Sequence, residues 1–201
     1  MRIAPIREDN VYGGLRLTIP ACIGSARLPV QVDIGFGDAI TPAPETVAYP
    51  TLLDDLAAPS LRAYPVYTVI AEKLHAMVVL GMNNSRMKDF FDLAVIARTS
   101  ALDGSTLVDA IRATFLRRNT SLPTSAPAAL TDEFSSNSIK AQQWLAFVTK
   151  TGSQWTSLGE VADTLAVFLN PVIAACGLSR DFESLWDPVA LAWGSTATGQ
   201  G

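Results

Sequence analysis

Histidine occurs once in these 201 residues, at His75, and cysteine twice, at Cys22 and Cys176, far apart and outside any Cys-x-x-Cys pair. That scarcity excludes a disulfide-stapled scaffold and a zinc centre of the ordinary Cys/His kind. Charge is sparse too: 17% of residues are charged, and 15 Lys+Arg against 19 Asp+Glu leave a formal net charge of -4. A basic coat for nucleic acid is thereby excluded, and any such contact is confined to a local patch. The N-terminal stretch Met1 to Asn10 has no apolar signal core, and no run approaches the roughly 20 apolar residues that cross a bilayer. The expectation is a soluble, cytoplasmic chain with no membrane partner. Phosphate-loop and dinucleotide glycine patterns are missing as well; Gly35-Phe36-Gly37 leads into Asp38 with no helix start nearby. Neither His-Glu-x-x-His nor Gly-x-Ser-x-Gly occurs, which leaves His75 a structural or exposed residue.

What is present is apolar: 49% of the chain, enough for a sizeable core in one domain or one domain with an appendage. Leu15, Leu17 and Ile19 alternate with Arg16 and Thr18, and Leu28, Val30, Val32, Ile34 and Phe36 alternate with Pro29, Gln31, Asp33 and Gly35. Period two predicts two half-buried strands, and the short connection Ala21 to Arg27 predicts an antiparallel hairpin. Gly35, Gly37, Pro42, Pro44 and Pro50 then open an irregular stretch, a linker or lid, to about Ala63.

Beyond Tyr64 the period becomes helical. Pro65 suits a first turn, and Val66, Ile70, Leu74 and Met77 recur at helical spacing until Gly81. Asn83-Asn84-Ser85 offers caps for a second helix with Met87, Phe90, Phe91, Ala94, Val95 and the stem of Arg98 on one stripe. Further helices are expected at about 105–117, 138–150 and 157–170, with a loop over 119–127. Tyr64, Trp144, Trp155, Trp186 and Trp193 are spaced as packing residues. The organisation reads as a β region with linker over 1–63, a helical domain over 64–193 and a disordered tail over 194–201, an α+β chain.

Charge breaks this pattern at three places. On a wheel with Ile70 at zero, Lys73 falls at about 300°, inside the arc from about 260° to 40° held by Val66, Val69, Leu74, Met77 and Leu80. An ammonium there needs a carboxylate, a phosphate or a route to water; snorkelling and a structural ion pair are the plain alternatives. In the second helix Asp89 and Asp92 share a face with Ser85, Lys88 lies four residues before Asp92, and Leu93 and Ile96 fall on or near that face. Such carboxylates either form a solvated ion-pair face or are held for chemistry. Asp33 sits mid-strand, where propensity disfavours it, with Gln31 on its face and Arg16 or Thr18 across the hairpin. It is either part of a polar outer face or a strand carboxylate of the sort that holds a divalent ion against a triphosphate.

Val32-Asp33-Ile34-Gly35-Phe36-Gly37-Asp38, Tyr64-Pro65, Ala71-Glu72-Lys73-Leu74 and Ser85-Arg86-Met87-Lys88-Asp89-Phe90-Phe91-Asp92-Leu93, taken in order, resemble the AbiEii/AbiGii toxin family. These are nucleotidyltransferase-like proteins of the DNA polymerase β superfamily. The resemblance spans Tyr12 to Arg98 well and the later helices by general similarity. It implies a partial polymerase β-type sheet followed by helices, and transfer of a nucleotide from an NTP to an RNA or protein acceptor with Mg²⁺. It also implies a toxin of a type IV toxin–antitoxin or phage-defence system with a separate antitoxin. Asp33 resembles the third catalytic, metal-holding carboxylate, Lys73 the lysine that neutralises triphosphate charge, and Asp92 the carboxylate that matters for activity in a motif shared with Arg86, Lys88 and Asp89. Arg86 and Lys88 are the phosphate contacts in that reading.

The family's Gly-Ser motif with a following Asp-x-Asp has no counterpart, since no Asp-x-Asp occurs and Gly24-Ser25 sits in the hairpin turn. The chain is expected to begin inside the catalytic sheet, as a truncated or decayed copy with little or no transferase activity, because one aspartate cannot clamp two ions. The alternatives are a non-catalytic module that grips NTP or RNA phosphates and an inert fragment with purely structural charges. An uncovered sheet edge is expected to favour self-association. Lys140, in a later helix, serves as the reference position outside the site.

Overall fold

Three antiparallel strands, β1 (Arg2–Ile6), β2 (Gly14–Ile23) and β3 (Ala26–Gly35), pair in that order in the computed structural model, which describes residues 1–6, 14–152, 157–178 and 180–195. The hairpin is longer than period two over 15–19 implies. Pairing continues through Pro20↔Pro29 to Ile23↔Ala26, because Ala21 and Ile23 extend the apolar alternation and Gly24 supplies the left-handed φ of +59° that a two-residue turn needs. The register sets Arg16 opposite Asp33 and Thr18 opposite Gln31, so one face carries Arg2, Arg16, Arg27 and Asp33. The other carries Ile3, Leu15, Leu17, Ile19, Leu28, Val30, Val32 and Ile34. Half-burial is not what results: every residue of β3 is exposed. By contacts, Met1–Asp38 forms one unit and Ala39–Gly201 a second.

Within the second unit, the stretch read as irregular holds a hairpin of β4 (Glu45–Ala48) and β5 (Ser60–Ala63). Strands of four residues between prolines are too short to display a period. Thr41 N–H donates to Thr68 Oγ1 at 3.0 Å, and that hydroxyl donates back to the Thr41 carbonyl at 3.0 Å. The start of the segment is thereby tied to α1 (Val66–Leu80), which follows Pro65 and stops at Gly81 with φ +49°.

Four further helices form where helices are expected: α2 (Met87–Thr99), α3 (Gly104–Arg117), α5 (Ser138–Thr151) and α6 (Leu158–Gly177); a single turn, α4 (Asp132–Ser135), is additional. The buried face of α2 is rotated from the expected stripe: Leu93 and Ala97 are buried with Met87, Phe90 and Ala94, while Phe91 and Val95 are half-buried and Arg98 is exposed, because Asp89 also turns inward, to Lys73. Side-chain caps start three of these helices. Asp103 accepts from Thr106 N–H, Asn137 from Ile139 and Lys140 N–H, and Ser157 from Glu160 N–H. The last helix passes Pro171 instead of ending near residue 170. Burial of Val172, Ile173, Ala175 and Cys176 outweighs the hydrogen bond that proline removes. By length and composition α6 could cross a membrane, but ten of its residues are buried in this protein's own core, which accounts for the apolarity.

A third sheet, β6 (Leu102–Asp103), β7 (Ser184–Asp187) and β8 (Ala192–Ser195), was also not anticipated. It brings Trp186 and Trp193 against Phe168 of α6, with ring centroids 4.8 and 5.9 Å away. Trp186 Nε1–H donates at 2.6 Å to the Ala97 carbonyl in the last turn of α2, a group that has no partner within the helix. Gly194 and Ser195 belong to β8 and not to a tail; residues 196–201 lie outside the described residues. Trp144 and Trp186 are buried as expected, whereas Tyr64 is exposed, and Trp155 lies outside the described residues.

His75 is structural. Its Nε2 lies 2.9 Å from Thr120 Oγ1, whose hydroxyl donates to the Arg118 carbonyl, and its ring meets Phe115 edge-on. Burial, and then the Arg118 charge, hold its pKa below the ordinary histidine value. Two outcomes follow from this core. Trp186→Phe leaves the buried Ala97 carbonyl unpaired and should cost about 1–3 kcal/mol in urea unfolding. Because His75 binds its proton more weakly folded than unfolded, stability is full above about pH 6.5 and is lost as pH falls toward the folded value. Urea midpoints should drop between pH 7.5 and 5.5, and His75→Gln should flatten that drop.

Candidate functional site

Lys73 leaves α1 between Ile70 and Met77, both fully buried, so its ammonium enters the seam between α1 and α2. There Nζ donates to Asp89 Oδ1 at 2.8 Å and to Asp92 Oδ2 at 2.7 Å. Those aspartates stand at i and i+3 on α2 and so face the same way. Each meets a second cation: Lys88 Nζ donates to Asp92 Oδ2 at 2.6 Å, and Arg86 Nε lies 2.8 Å from Asp89 Oδ2. Three cations against two carboxylates give the cluster one net positive charge. Exposure grades outward, from Asp89 at 5% through Lys73 at 16% and Asp92 at 22% to Arg86 at 47% and Lys88 at 72%.

Burial alone pushes the Lys73 ammonium toward neutrality, but its hydrogen bonds to Asp89 and Asp92 outweigh this and raise its pKa. Burial likewise opposes ionisation of Asp92, and the bonds from Lys73 and Lys88 overcome it and hold the carboxyl below its usual range. Lys73 and Asp92 stay charged together across neutral pH. Lys73, Arg86, Lys88, Asp89 and Asp92 are therefore assembled at one place.

The turn that presents Arg86 and Lys88 is itself pinned. Asn84 is fully buried; its side chain accepts from Arg86 N–H at 2.8 Å, and its carbonyl accepts from Lys140 Nζ at 2.8 Å. Lys140 is buried, with Nζ 5.3 Å from the centre of the Phe134 ring. Its use as a neutral reference is overturned, since it fixes the loop that opens α2. Lys140 shares the buried stripe of α5 with Trp144 and Val148, the same anomaly that marks Lys73, so a wheel of α5 finds it. Residues 85–89 and Gln143, Ala146 and Phe147 of α5 line an open groove of about 530 Å³. Gln143 and Phe147 were missed because nothing in their spacing distinguishes them from surface and packing positions.

Asp33 lies in the first unit. Both its oxygens accept from Arg16, Nε and Nη2, at 2.7 Å each. These hydrogen bonds from Arg16 lower its pKa. A Mg²⁺ ion wants carboxylates whose lone pairs are available, and a pair of ions needs several. Each Asp33 oxygen already accepts one guanidinium hydrogen bond, and no group of three His, Cys, Asp or Glu side chains converges among the described residues. This donor set does not fit a two-ion clamp.

A family model described as "Nucleotidyl transferase AbiEii toxin, Type IV TA system" matches residues 2–163. No curated protein and no solved structure matches the chain.

Removing one partner of a buried pair strands the other. Lys73→Met should destabilise the chain by about 3–5 kcal/mol in urea unfolding at pH 7. Lys88→Met, on an exposed i,i+4 pair, should cost less than about 1 kcal/mol. Equal costs would show that Lys73 does not hold α1 to α2.

Proposed function

Because the chain belongs to the AbiEii nucleotidyl transferase toxin family of type IV toxin–antitoxin systems, we propose that the α1–α2 cluster is its receptor for the triphosphate of an NTP. A toxin–antitoxin system brings an antitoxin partner and the family a nucleotide substrate; the family's reaction ordinarily uses a divalent metal. In the finer reading the nucleotide passes to an RNA or protein acceptor. The observation that carries the proposal is the net positive cluster with its two most exposed members, Arg86 and Lys88, at the rim of the groove.

Arg86 and Lys88 make first contact with phosphate oxygens, since their exposed heads exchange a carboxylate for a phosphate with little desolvation. An ammonium has three donors, and Lys73 spends two on Asp89 and Asp92; the third supplies a further hydrogen bond to the triphosphate. Asp92 keeps Lys73 charged and holds both Lys73 and Lys88 aimed. Asp89 anchors Arg86. No step is assigned to Asp33, whose oxygens are engaged by Arg16. These residues by themselves give little turnover.

A second reading, structural charge only, is favoured by one observation: Lys73 is bonded at 2.7–2.8 Å to both carboxylates. Calorimetry with an NTP, with and without Mg²⁺, separates the two. Parent protein should bind, more weakly as salt rises. Arg86→Ala and Lys88→Ala together should weaken binding by about 10-fold or more, at about 1.5–3 kcal/mol per charge-assisted bond. Lys150→Ala, an exposed change in α5, should leave it unchanged. No binding by the folded parent, or equal affinity in all variants, sinks the proposal and leaves the structural reading.

A further inference from the structure

We infer that the α5 wall of the groove is a nucleobase subsite, in which Phe147 stacks on the base and Gln143 Oε1 accepts a hydrogen bond from the base's amino group. The inference rests on the proposed function, since it extends the same groove away from its cations. A triphosphate uses only the α2 side, where Arg86 and Lys88 stand; α5 contributes the uncharged Gln143, Ala146 and Phe147. At about 530 Å³ the groove falls within the ~300–1,000 Å³ of small-molecule sites. Its polarity, cationic at one wall and neutral at the other, is that of a nucleotide, which is anionic at the phosphates and flat and uncharged at the base.

Gln143 and Phe147 stand at i and i+4 on α5, so they project from one side of the helix. Ala146 beside them is small and leaves room for a flat ring. Phe147 is half-buried, and Phe91 and Trp144 hold it, with ring centroids 5.6 and 5.7 Å away. A ring fixed in this way at a groove wall is a stacking platform, and every base has a π-face to lay on it. Gln143 Oε1 is buried and has no hydrogen-bond partner among the described residues. Leaving such an oxygen unpaired is costly, and an exocyclic amine supplies the donor it lacks. Adenine, cytosine and guanine each carry one, whereas uracil sets a carbonyl oxygen where cytosine has its amine. Two oxygens brought together repel, so the base is of the amino-bearing class.

Calorimetry of the full chain with CTP, UTP and inorganic tripolyphosphate tests this, with circular dichroism to confirm that each variant is folded. Phe147→Leu should weaken CTP binding by about 5-fold or more and leave tripolyphosphate binding unchanged. The parent should bind CTP about 3-fold or more tighter than UTP, and Gln143→Met should remove that gap. Gln142→Met, an exposed change outside the groove, should leave all three affinities as they are. Should Phe147→Leu lose its fold, Gln143→Met on the half-buried position carries the test. Equal loss of CTP and tripolyphosphate in Phe147→Leu, or no loss of either, overturns the inference and leaves the proposed function standing. Equal affinity of the parent for CTP and UTP, or a gap that survives Gln143→Met, does the same. Failure of all three ligands to bind the folded parent removes the proposed function and this inference with it.

Discussion

One ammonium joins the two helices on which the candidate site rests. Lys73 leaves α1 inside an apolar stripe and bonds Asp89 and Asp92 of α2 at 2.7–2.8 Å. Taking such a charge out of water costs several kcal/mol, and both carboxylates are needed to offset it. They can be provided only if α2 sits in one rotational setting, with its 89/92 edge against α1. That setting turns Phe90, Leu93, Ala94 and Ala97 into the core and puts Arg86 and Lys88 at the surface. Thus the charge pair decides which face of α2 packs, and the apolar residues supply the free energy that makes the packing favourable.

Two further polar contacts fix the ends of α2. At the N-terminal end Lys140 holds the Asn84 carbonyl, while Asn84 caps Arg86 N–H. At the C-terminal end the Trp186 indole takes the Ala97 carbonyl. Both are reached from distant parts of the chain, α5 and β7, so the helix that carries most of the site is oriented by long-range contacts at both ends as well as by its own sequence. Precise placement of Arg86 and Lys88 then follows from buried geometry and not from surface ion pairs, which contribute little by themselves.

Much of this is legible in the sequence. Period two around Gly24-Ser25 identifies the hairpin and leaves Arg16 or Thr18 across from Asp33, a choice the register resolves to Arg16. The wheel of α1 singles out Lys73 and the i, i+3 spacing puts Asp89 and Asp92 on one face, but that they are its partners is seen only in the packed helices. Lys140 bears the same signature on α5, and a wheel of that helix would have kept it from serving as a reference. Other features left no local trace. Leu102 and Asp103 pair with Trp186 and Leu185 across most of the helical unit, and β4 and β5 are four residues each, so neither carries a measurable period. The run of α6 past Pro171 is a tertiary effect, in which burial of the following turn outweighs the local rule. Exposure of β3 on both faces was equally invisible, since alternation reports which residues share a face and not what covers it.

The gradient of exposure across the cluster orders what its members can do. Asp89 at 5% and Lys73 at 16% lie too deep to exchange partners cheaply, because an unpaired buried charge costs more than one new phosphate contact returns. Arg86 and Lys88 face water and lose little by swinging from a carboxylate to an incoming anion. In the proposed reading a phosphate meets the outer cations first, while Lys73, Asp89 and Asp92 keep their mutual bonds and hold α2 in place. Asp33, in the first unit, lies outside this gradient: it is 44% exposed and both its oxygens accept from Arg16, an exposed pair that contributes little by itself. Burial thus grades the cluster, from Asp89 and Lys73, whose bonds hold α1 to α2, to Arg86 and Lys88 at the surface.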